Sequence, residues 1–173
     1  MIPSENEIAF ALMREYYHKG HSPITFRFSG QGIGEADVIS ITKAGFINEF
    51  EIKRTRSDFM ADFRNKTYKH KYLAERVGIK KGFNGTVWFL APSYFWFVVP
   101  KNLIGIEDIP EYAGLIYYEE GRLAVIKRAP RTHSEKATID IVQKIAHNLM
   151  CKIIFGGSFM NYSKKLRENE FGV

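Results

Sequence analysis

The sequence predicts an α/β fold in which helices flank a mixed central β-sheet. The first observation is size, because 173 residues of which 45% are hydrophobic suit one folded domain at residues 1–173, with a core at about 5–155. The second is that segments of helical spacing alternate with segments in which every second residue is apolar. The third is a β-hairpin pattern at residues 36–53. This order is typical of helices packed on a sheet.

The first predicted helix covers residues 5–19. Ser4 suits its N-cap, Glu7 completes a capping box, and Gly20 marks its end. A strand is predicted next, at residues 24–28. The glycine-rich loop after this strand lacks the Gly-Lys-Ser/Thr of a phosphate-binding loop, so we interpret it as a connection.

A β-hairpin is predicted at residues 36–42 and 46–53. Both segments alternate, and Gly45 belongs to the short turn between them. If the strands pair directly across this turn, the numbers of paired residues sum to 88, and Asp37 lies opposite Glu51. A bulge at the glycine would shift this pairing by one residue.

The rest of the chain is predicted to hold two more helices and four more strands. A long second helix at residues 57–77 has Ser57 as its N-cap, and a last helix begins at Ser134. A basic tail follows at residues 158–173. The four strands are expected at residues 86–90, 94–99, 114–118 and 123–128, and the last helix is expected at residues 134–155.

The net charge of +6 is unevenly distributed along the chain. Residues 1–51 carry a net charge of −3, residues 52–81 carry +7, and residues 82–173 carry +2. The basic excess therefore directly follows the most acidic part of the chain. This pattern favours an anionic partner such as nucleic acid, with ordinary solubility charge as the alternative.

Cysteine usage and hydropathy exclude several classes of protein. Cys151 is the one cysteine, which excludes an intrachain disulfide and a thiolate zinc site and is typical of a cytoplasmic protein. The five histidines show no zinc-ligand spacing. The N-terminus lacks the features of a signal peptide, and the most apolar run, residues 88–99, is short and interrupted by Pro92. We therefore expect a cytoplasmic protein without a membrane span.

The second strand of the hairpin carries the residues most suited to chemistry. Alternation places Glu49, Glu51 and Lys53 on one face, and Asp37 reaches the same region from the partner strand. Two carboxylates about 5 Å apart at their Cβ atoms repel each other unless a cation lies between them. Oxygen ligands of this kind suit Mg²⁺ or Mn²⁺. A nearby lysine can act on a metal-bound water or stabilise charge on a phosphate. The alternative interpretation of the Glu-x-Glu-x-Lys pattern is ordinary cross-strand charge pairing.

Asp37 and the tripeptide Glu51-Ile52-Lys53 resemble the D...ExK signature of the PD-(D/E)XK nuclease superfamily. The surrounding sequence is similar to the MmcB-like DNA-repair proteins of that superfamily, over roughly residues 35–130. The matching segments are Ala36-Asp37-Val38, Lys43-Ala44-Gly45, Ser57-Asp58-Phe59, Asp62, Val99-Pro100, Gly114-Leu115-Ile116 and Arg128-Ala129-Pro130. Glu35-Ala36 is a departure, since many members have a proline there.

This resemblance implies a restriction-endonuclease-like fold and a Mg²⁺- or Mn²⁺-dependent endonuclease that hydrolyses DNA in repair or processing. It makes Asp37 and Glu51 metal ligands, with the carbonyl of Ile52 as a further ligand. It makes Lys53 the catalytic lysine, so that Asp37, Glu51 and Lys53 form the expected catalytic set.

Other acidic residues are candidates for the edge of this site. An acid on the first helix often completes such sites, and Glu7 and Glu15 are the alternatives for that metal-binding role. Glu7 already has a structural role in the capping box. Glu35 and Glu49 would bind a second metal or be exposed.

The predicted second helix is the expected DNA-binding element. Its cations would contact phosphates without reading sequence and would make binding salt-dependent. Lys66 and His70, one turn apart, are expected to face the site, and Tyr68 and Tyr72 would stack on bases or belong to the core. The DNA-binding candidates are Arg54, Arg56, Arg64, Lys66, Lys69, His70 and Lys71.

Two other functions fit the same residues. One is a repair accessory protein that binds nucleic acid but does not hydrolyse it, or needs a partner to do so. The other is an interaction protein with a solvated basic helix. DNA is the expected partner, and no interaction with a membrane is expected. The sequence leaves open whether the chain forms a homodimer or binds other repair proteins. It also leaves open the strandedness of the DNA and whether RNA is cleaved. Cutting both strands would call for a dimer or two successive nicks.

Overall fold

Six strands form a mixed sheet with helices on both faces. The computed structural model describes residues 2–30, 34–81 and 87–155. The helices are α1 (Glu5–His18), α2 (Arg56–Asn65), α3 (Thr67–Ala74) and α4 (Ile139–Phe155), with a 3₁₀ turn at Ile106–Asp108. The strands are β1 (Ile24–Gly30), β2 (Gly34–Ile41), β3 (Ile47–Ile52), β4 (Ile79–Lys81), β5 (Val87–Leu90), β6 (Tyr94–Pro100), β7 (Ala113–Glu119) and β8 (Arg122–Lys127).

The main sheet has the strand order β1-β2-β3-β6-β7-β8. Strands β3, β6 and β7 are parallel neighbours, and the outer pairs are antiparallel. Strands β4 and β5 form a separate two-stranded sheet. The predicted α/β class with a mixed sheet and flanking helices is therefore confirmed.

The hairpin of β2 and β3 has the predicted register. Val38 lies opposite Phe50 and Ile41 opposite Ile47, so the paired numbers sum to 88. Gly45 makes the turn with φ of +87°, a conformation that a side chain would strain. The hairpin thereby fixes which residues of β3 lie on each face of the sheet.

Helix α1 covers one face of the sheet, and the other helices cover the opposite face. Ile8 and Leu12 of α1 pack against Phe50 of β3. Phe59 of α2 and Leu73 of α3 belong to a second apolar cluster with β6 and β7, and α4 packs mainly on β1 and also on β2 in a third. The odd-numbered residues of β3 therefore lie on the side of α2 and α3.

The predicted helix at residues 57–77 is wrong in two respects. It is two helices, because the backbone of Lys66 leaves the helical region with φ of −116° and ψ of 39°. It also begins one residue earlier than expected, because Thr55, not Ser57, is the N-cap and accepts a hydrogen bond from the Asp58 amide. Strand β4 was not predicted.

The last helix begins at Ile139 and not at Ser134. The preceding segment is tied to the hairpin, since the Ala137 amide donates to the Gly45 carbonyl at 2.8 Å, and this contact replaces a helical turn. The predicted tail at residues 158–173 and the centre of the glycine-rich loop, residues 31–33, lie outside the described residues. Within the described ranges, no helix combines the length and apolarity needed to cross a bilayer.

Candidate functional site

The face of β3 predicted to carry Glu49, Glu51 and Lys53 is a buried cluster of charges. Glu49, Glu51 and Lys53 are 0%, 1% and 6% exposed. Glu49 lies beside Phe95 and Glu51 beside Phe97 on β6, beneath α2 and α3. Charged groups so far from water need ionic or hydrogen-bonding partners, because desolvation of an unpaired charge costs several kcal/mol.

Lys53 is held between two carboxylates. Its Nζ donates to Glu51 Oε1 at 2.8 Å and to Asp62 Oδ1 at 2.7 Å. Burial alone would lower the pKa of Lys53, but the adjacent Glu51 and Asp62 outweigh it and raise that pKa. Lys53 is therefore a cation, and it is not suited to accept a proton as a general base.

The break between α2 and α3 brings two more lysines to the cluster. Lys66 Nζ contacts Glu51 Oε1 and lies 3.4 Å from Asp62 Oδ1. Lys69 Nζ contacts Glu49 Oε1 and donates to the Glu35 carbonyl at 3.0 Å. These two residues were expected to contact DNA phosphates, but in this conformation they neutralise the carboxylates of β3.

His70 belongs to the same network through Asp62. Its Nε2 lies 2.8 Å from Asp62 Oδ2, and its Nδ1 lies 2.8 Å from the Tyr112 hydroxyl. Burial alone would raise the pKa of Asp62, but hydrogen bonds from His70 and Lys53 hold it far below its ordinary value. In the neutral tautomer that this network assigns, Nε2–H donates to Asp62 and Nδ1 accepts from Tyr112. Lys66 and His70 thus both face the cluster, as their spacing predicted.

Asp37 lies where β2 separates from β3. Its Oδ2 accepts a hydrogen bond from the Ile52 amide at 2.7 Å, which takes the place of a ladder bond. Burial, then the negative charge of Glu51 and, to a smaller extent, that of Glu5 outweigh the hydrogen bond from Ile52 and raise the pKa of Asp37 to about 7. The two carboxylates predicted to meet are therefore close enough to repel each other.

Glu5 is an acid of α1 whose negative charge raises the pKa of Asp37, whereas the metal-binding role of Glu7 or Glu15 stays a prediction. Glu7 accepts hydrogen bonds from Ser4 in the capping box, which lower its pKa, and Glu15 forms an ion pair with Lys19 at 3.0 Å. Sequence reasoning missed Glu5, although its first-turn position brings it near the open end of the sheet.

Several atoms of the cluster suit a hard cation. Glu51 Oε2 and Glu49 Oε2 are buried without a hydrogen-bond donor in the part of the chain that the structure describes. Burial raises the pKa of Glu49, although Lys69 opposes this. Oxygen ligands with excess negative charge are those that Mg²⁺ and Mn²⁺ prefer, so Asp37 and Glu51 fit such an ion. Among residues 2–30, 34–81 and 87–155, no three His, Cys, Asp or Glu side chains are already arranged around a metal position.

The remaining predicted DNA-binding residues lie on the surface. Arg54 Nε donates to the Pro3 carbonyl at 2.9 Å, and Arg56 pairs with Asp108 at 2.9 Å. Arg64 is exposed, and Lys71 is exposed beside Glu75 at 3.9 Å. The predicted DNA-binding set is thereby divided into an exposed group and a buried group.

Comparison with known proteins gives information about the fold alone. No protein-family model and no curated protein sequence matches the chain. A solved structure of a protein of unknown function from Silicibacter pomeroyi is similar, with a TM-score of 0.57 and 16% sequence identity. The match covers 97% of this chain and 92% of that one. The same α/β architecture is therefore found in a second protein.

Proposed function

We propose that the chain is a metal-dependent nuclease with a restriction-endonuclease-like fold, related to the MmcB-like proteins, that hydrolyses DNA phosphodiester bonds in repair or processing. One observation carries the proposal. The hairpin register brings Asp37 and Glu51 together while Lys53 lies 2.8 Å from Glu51. Ordinary cross-strand charge pairing does not require the lysine to be buried with the acids.

Asp37, Glu51 and the carbonyl of Ile52 would hold Mg²⁺ or Mn²⁺. The fit is supported by the raised pKa of Asp37, which a cation would reverse, and by Glu51 Oε2, which accepts no hydrogen bond from the described residues and lies 3.9 Å from Lys69 Nζ. A bound ion would supply Lewis-acid stabilisation of charge on the phosphate.

The side chains around the ion would hold one another in position and neutralise negative charge. Lys53 stays protonated between Glu51 and Asp62, so its role is to stabilise negative charge that develops on the phosphate. Asp62 and His70 hold Lys53 in place from α2 and α3. Lys66 contacts Glu51 Oε1, the carboxylate oxygen next to the one offered to the ion, so a bound cation would repel it, and its side chain is 28% exposed.

The test is DNA cleavage with Mg²⁺ or Mn²⁺ on single-stranded, duplex and branched substrates. We expect Asp37→Asn, Glu51→Gln and Lys53→Gln to lower the rate by at least about a hundredfold, as for loss of a charge-stabilising group. Glu75→Gln, an exposed acid on the same part of the chain, is the control. Cutting that survives in both Asp37→Asn and Glu51→Gln would overturn the proposal.

A second readout separates metal binding from folding. We expect Mn²⁺ to raise the melting temperature of the native chain at pH 8 and to have a smaller effect on Asp37→Asn, because binding to the folded state alone stabilises it. Circular dichroism shows whether each variant is folded. An equal shift in both proteins would exclude Asp37 as a ligand.

A non-catalytic or partner-activated DNA-repair accessory protein is the second candidate. It is favoured by Lys66 and Lys69, whose amines already neutralise Glu51 and Glu49. This function predicts salt-dependent DNA binding without metal-dependent cleavage in the absence of a partner.

A further inference from the structure

A cavity lies on the opposite face of the sheet from the charge cluster. Its volume is about 380 Å³, within the range of sites for small ligands. Asn48, three residues before Glu51 on β3, lines it, and alternation places these two side chains on opposite faces. The cavity is therefore separate from the proposed nuclease site.

Asn48 has a buried hydrogen-bond donor that the described residues leave unused. The residue is 3% exposed, and its Oδ1 accepts from Trp96 Nε1 at 3.0 Å. Because the indole can only donate, this bond fixes the orientation of the amide. Its Nδ2 then has no acceptor within the described ranges. A ligand with a carbonyl oxygen or ring nitrogen would satisfy it.

Aromatic rings line part of the cavity. They come from Tyr16, His21, Tyr94 and Trp96. The Tyr16 and His21 rings meet edge to face at 4.9 Å, so their positions are fixed by mutual packing. Burial, and then Lys19, lower the pKa of His21, which keeps that ring uncharged at neutral pH. Walls of this kind favour a planar aromatic ligand.

The rim of the cavity is positively charged. Lys19 lies 4.8 Å from the Tyr16 ring centroid, and its carboxylate partner is Glu15. Arg128 also lines the cavity, is exposed, and has no ion-pair partner in the portion of the chain described. Two cations facing one acid leave a net positive rim, which favours an anionic group such as a phosphate.

We propose that this cavity binds a single nucleotide, with its base against Tyr94 and the edges of Tyr16 and Trp96, which are 6% and 8% exposed, a base acceptor on Asn48 Nδ2, and its phosphate between Lys19 and Arg128. The volume suits one nucleotide and not two. A free mononucleotide and the terminal nucleotide of a DNA strand present the same chemistry. This site does not depend on metal or on cleavage.

Trp96 provides the readout for a binding experiment. The chain has 2 tryptophans, so Trp88→Phe leaves Trp96 as the one source of tryptophan fluorescence. In this background, with EDTA present, we titrate AMP, GMP, CMP and TMP, and as comparisons adenosine, inorganic phosphate and benzoate. We expect a saturable fluorescence change with at least one nucleoside monophosphate, and weaker binding of its nucleoside.

Two variants test the placement of the phosphate. Arg128→Gln should raise the dissociation constant about tenfold, as expected for loss of one charge-assisted contact. Arg122→Gln, the same change on exposed β8 outside the cavity, should leave it unchanged. Val125→Glu places a negative charge at the cavity from a residue that is 46% exposed, so it should prevent binding without unfolding the chain.

Three results would overturn the proposal. They are the absence of a response to any nucleotide, equal effects of Arg128→Gln and Arg122→Gln, and equal binding of benzoate, which would indicate a general site for aromatic acids.

Tighter binding of a phosphorylated dinucleotide than of the mononucleotide would support the site and identify its source as a strand end. Loss of DNA cleavage in these variants is not required, so failure here and failure of the nuclease proposal are distinguishable.

Discussion

Asp62 supplies negative charge that balances the buried lysines of the cluster. One of its oxygens faces Lys53 and Lys66, and the other faces His70. It is 3% exposed, so no water is available to replace it. Removing one charged partner of a buried cation costs far more than breaking a surface pair, because desolvation is then less fully compensated.

We expect Asp62→Asn to lower the free energy of unfolding by about 3–5 kcal/mol, as measured by urea denaturation at pH 7. The amide keeps the shape and one acceptor but removes the charge that Lys53 and Lys66 share. Glu75→Gln is the matched control, since its partner Lys71 is exposed and 3.9 Å away, and should change stability little. Equal losses in the two variants would contradict an ionic role for Asp62.

Asp37 should give the chain a specific pH dependence in EDTA. Burial and Glu51 raise its pKa from 3.8 to about 7, so between about pH 4 and pH 7 the folded chain holds a proton that the unfolded chain has released. Stability therefore falls as the pH rises through this window. Asp37→Asn should flatten the fall, as measured by urea denaturation at pH 5 and pH 8. If the unfolding free energy of Asp37→Asn fell with pH as steeply as that of the native chain, the pKa of Asp37 would not be raised in the folded state.

Helix α2 offers a test at the scale of one element. The Thr55 hydroxyl accepts from the Asp58 amide at 3.1 Å, whereas the Ser57 hydroxyl lies 3.0 Å from the Thr55 hydroxyl. We expect Thr55→Ala to cost about 1 kcal/mol of unfolding free energy, and Ser57→Ala to cost little, by urea denaturation. The reverse order would support the helix start that the sequence predicted.

The hairpin and the second helix show what sequence can predict at this scale. Alternation and Gly45 set the hairpin register, because these signals are local, and that register brings Asp37 to Glu51. The break at Lys66 has no glycine or proline to mark it. It accompanies contacts of the Lys66 side chain with Glu51, fifteen residues away, which no local pattern contains. The same reason explains why Glu5 was missed.

For the molecule as a whole, the basic segment proves to have two different roles. Residues 52–81 carry a net charge of +7, and Lys53, Lys66 and Lys69 belong to that segment. These three point inward and neutralise the buried acids of β3 and α2. A charge count from the sequence does not show which carboxylates these lysines contact. It therefore assigns all of them to the surface. The surface available to DNA phosphates is therefore less basic than the sequence predicted.

This division determines how strongly DNA binding should depend on salt. Each phosphate contact contributes about 0.9 to the slope of log affinity against log salt on duplex DNA. Arg64 and Lys71 are exposed cations of α2 and α3, so we expect Arg64→Gln with Lys71→Gln to reduce the slope by about 2, in binding titrations between low and moderate salt. Lys101→Gln with Arg122→Gln makes the same change of net charge on other exposed residues and should leave the slope nearly unchanged. Equal slopes for the two double variants would mean that net charge, and not the α2–α3 surface, attracts the DNA.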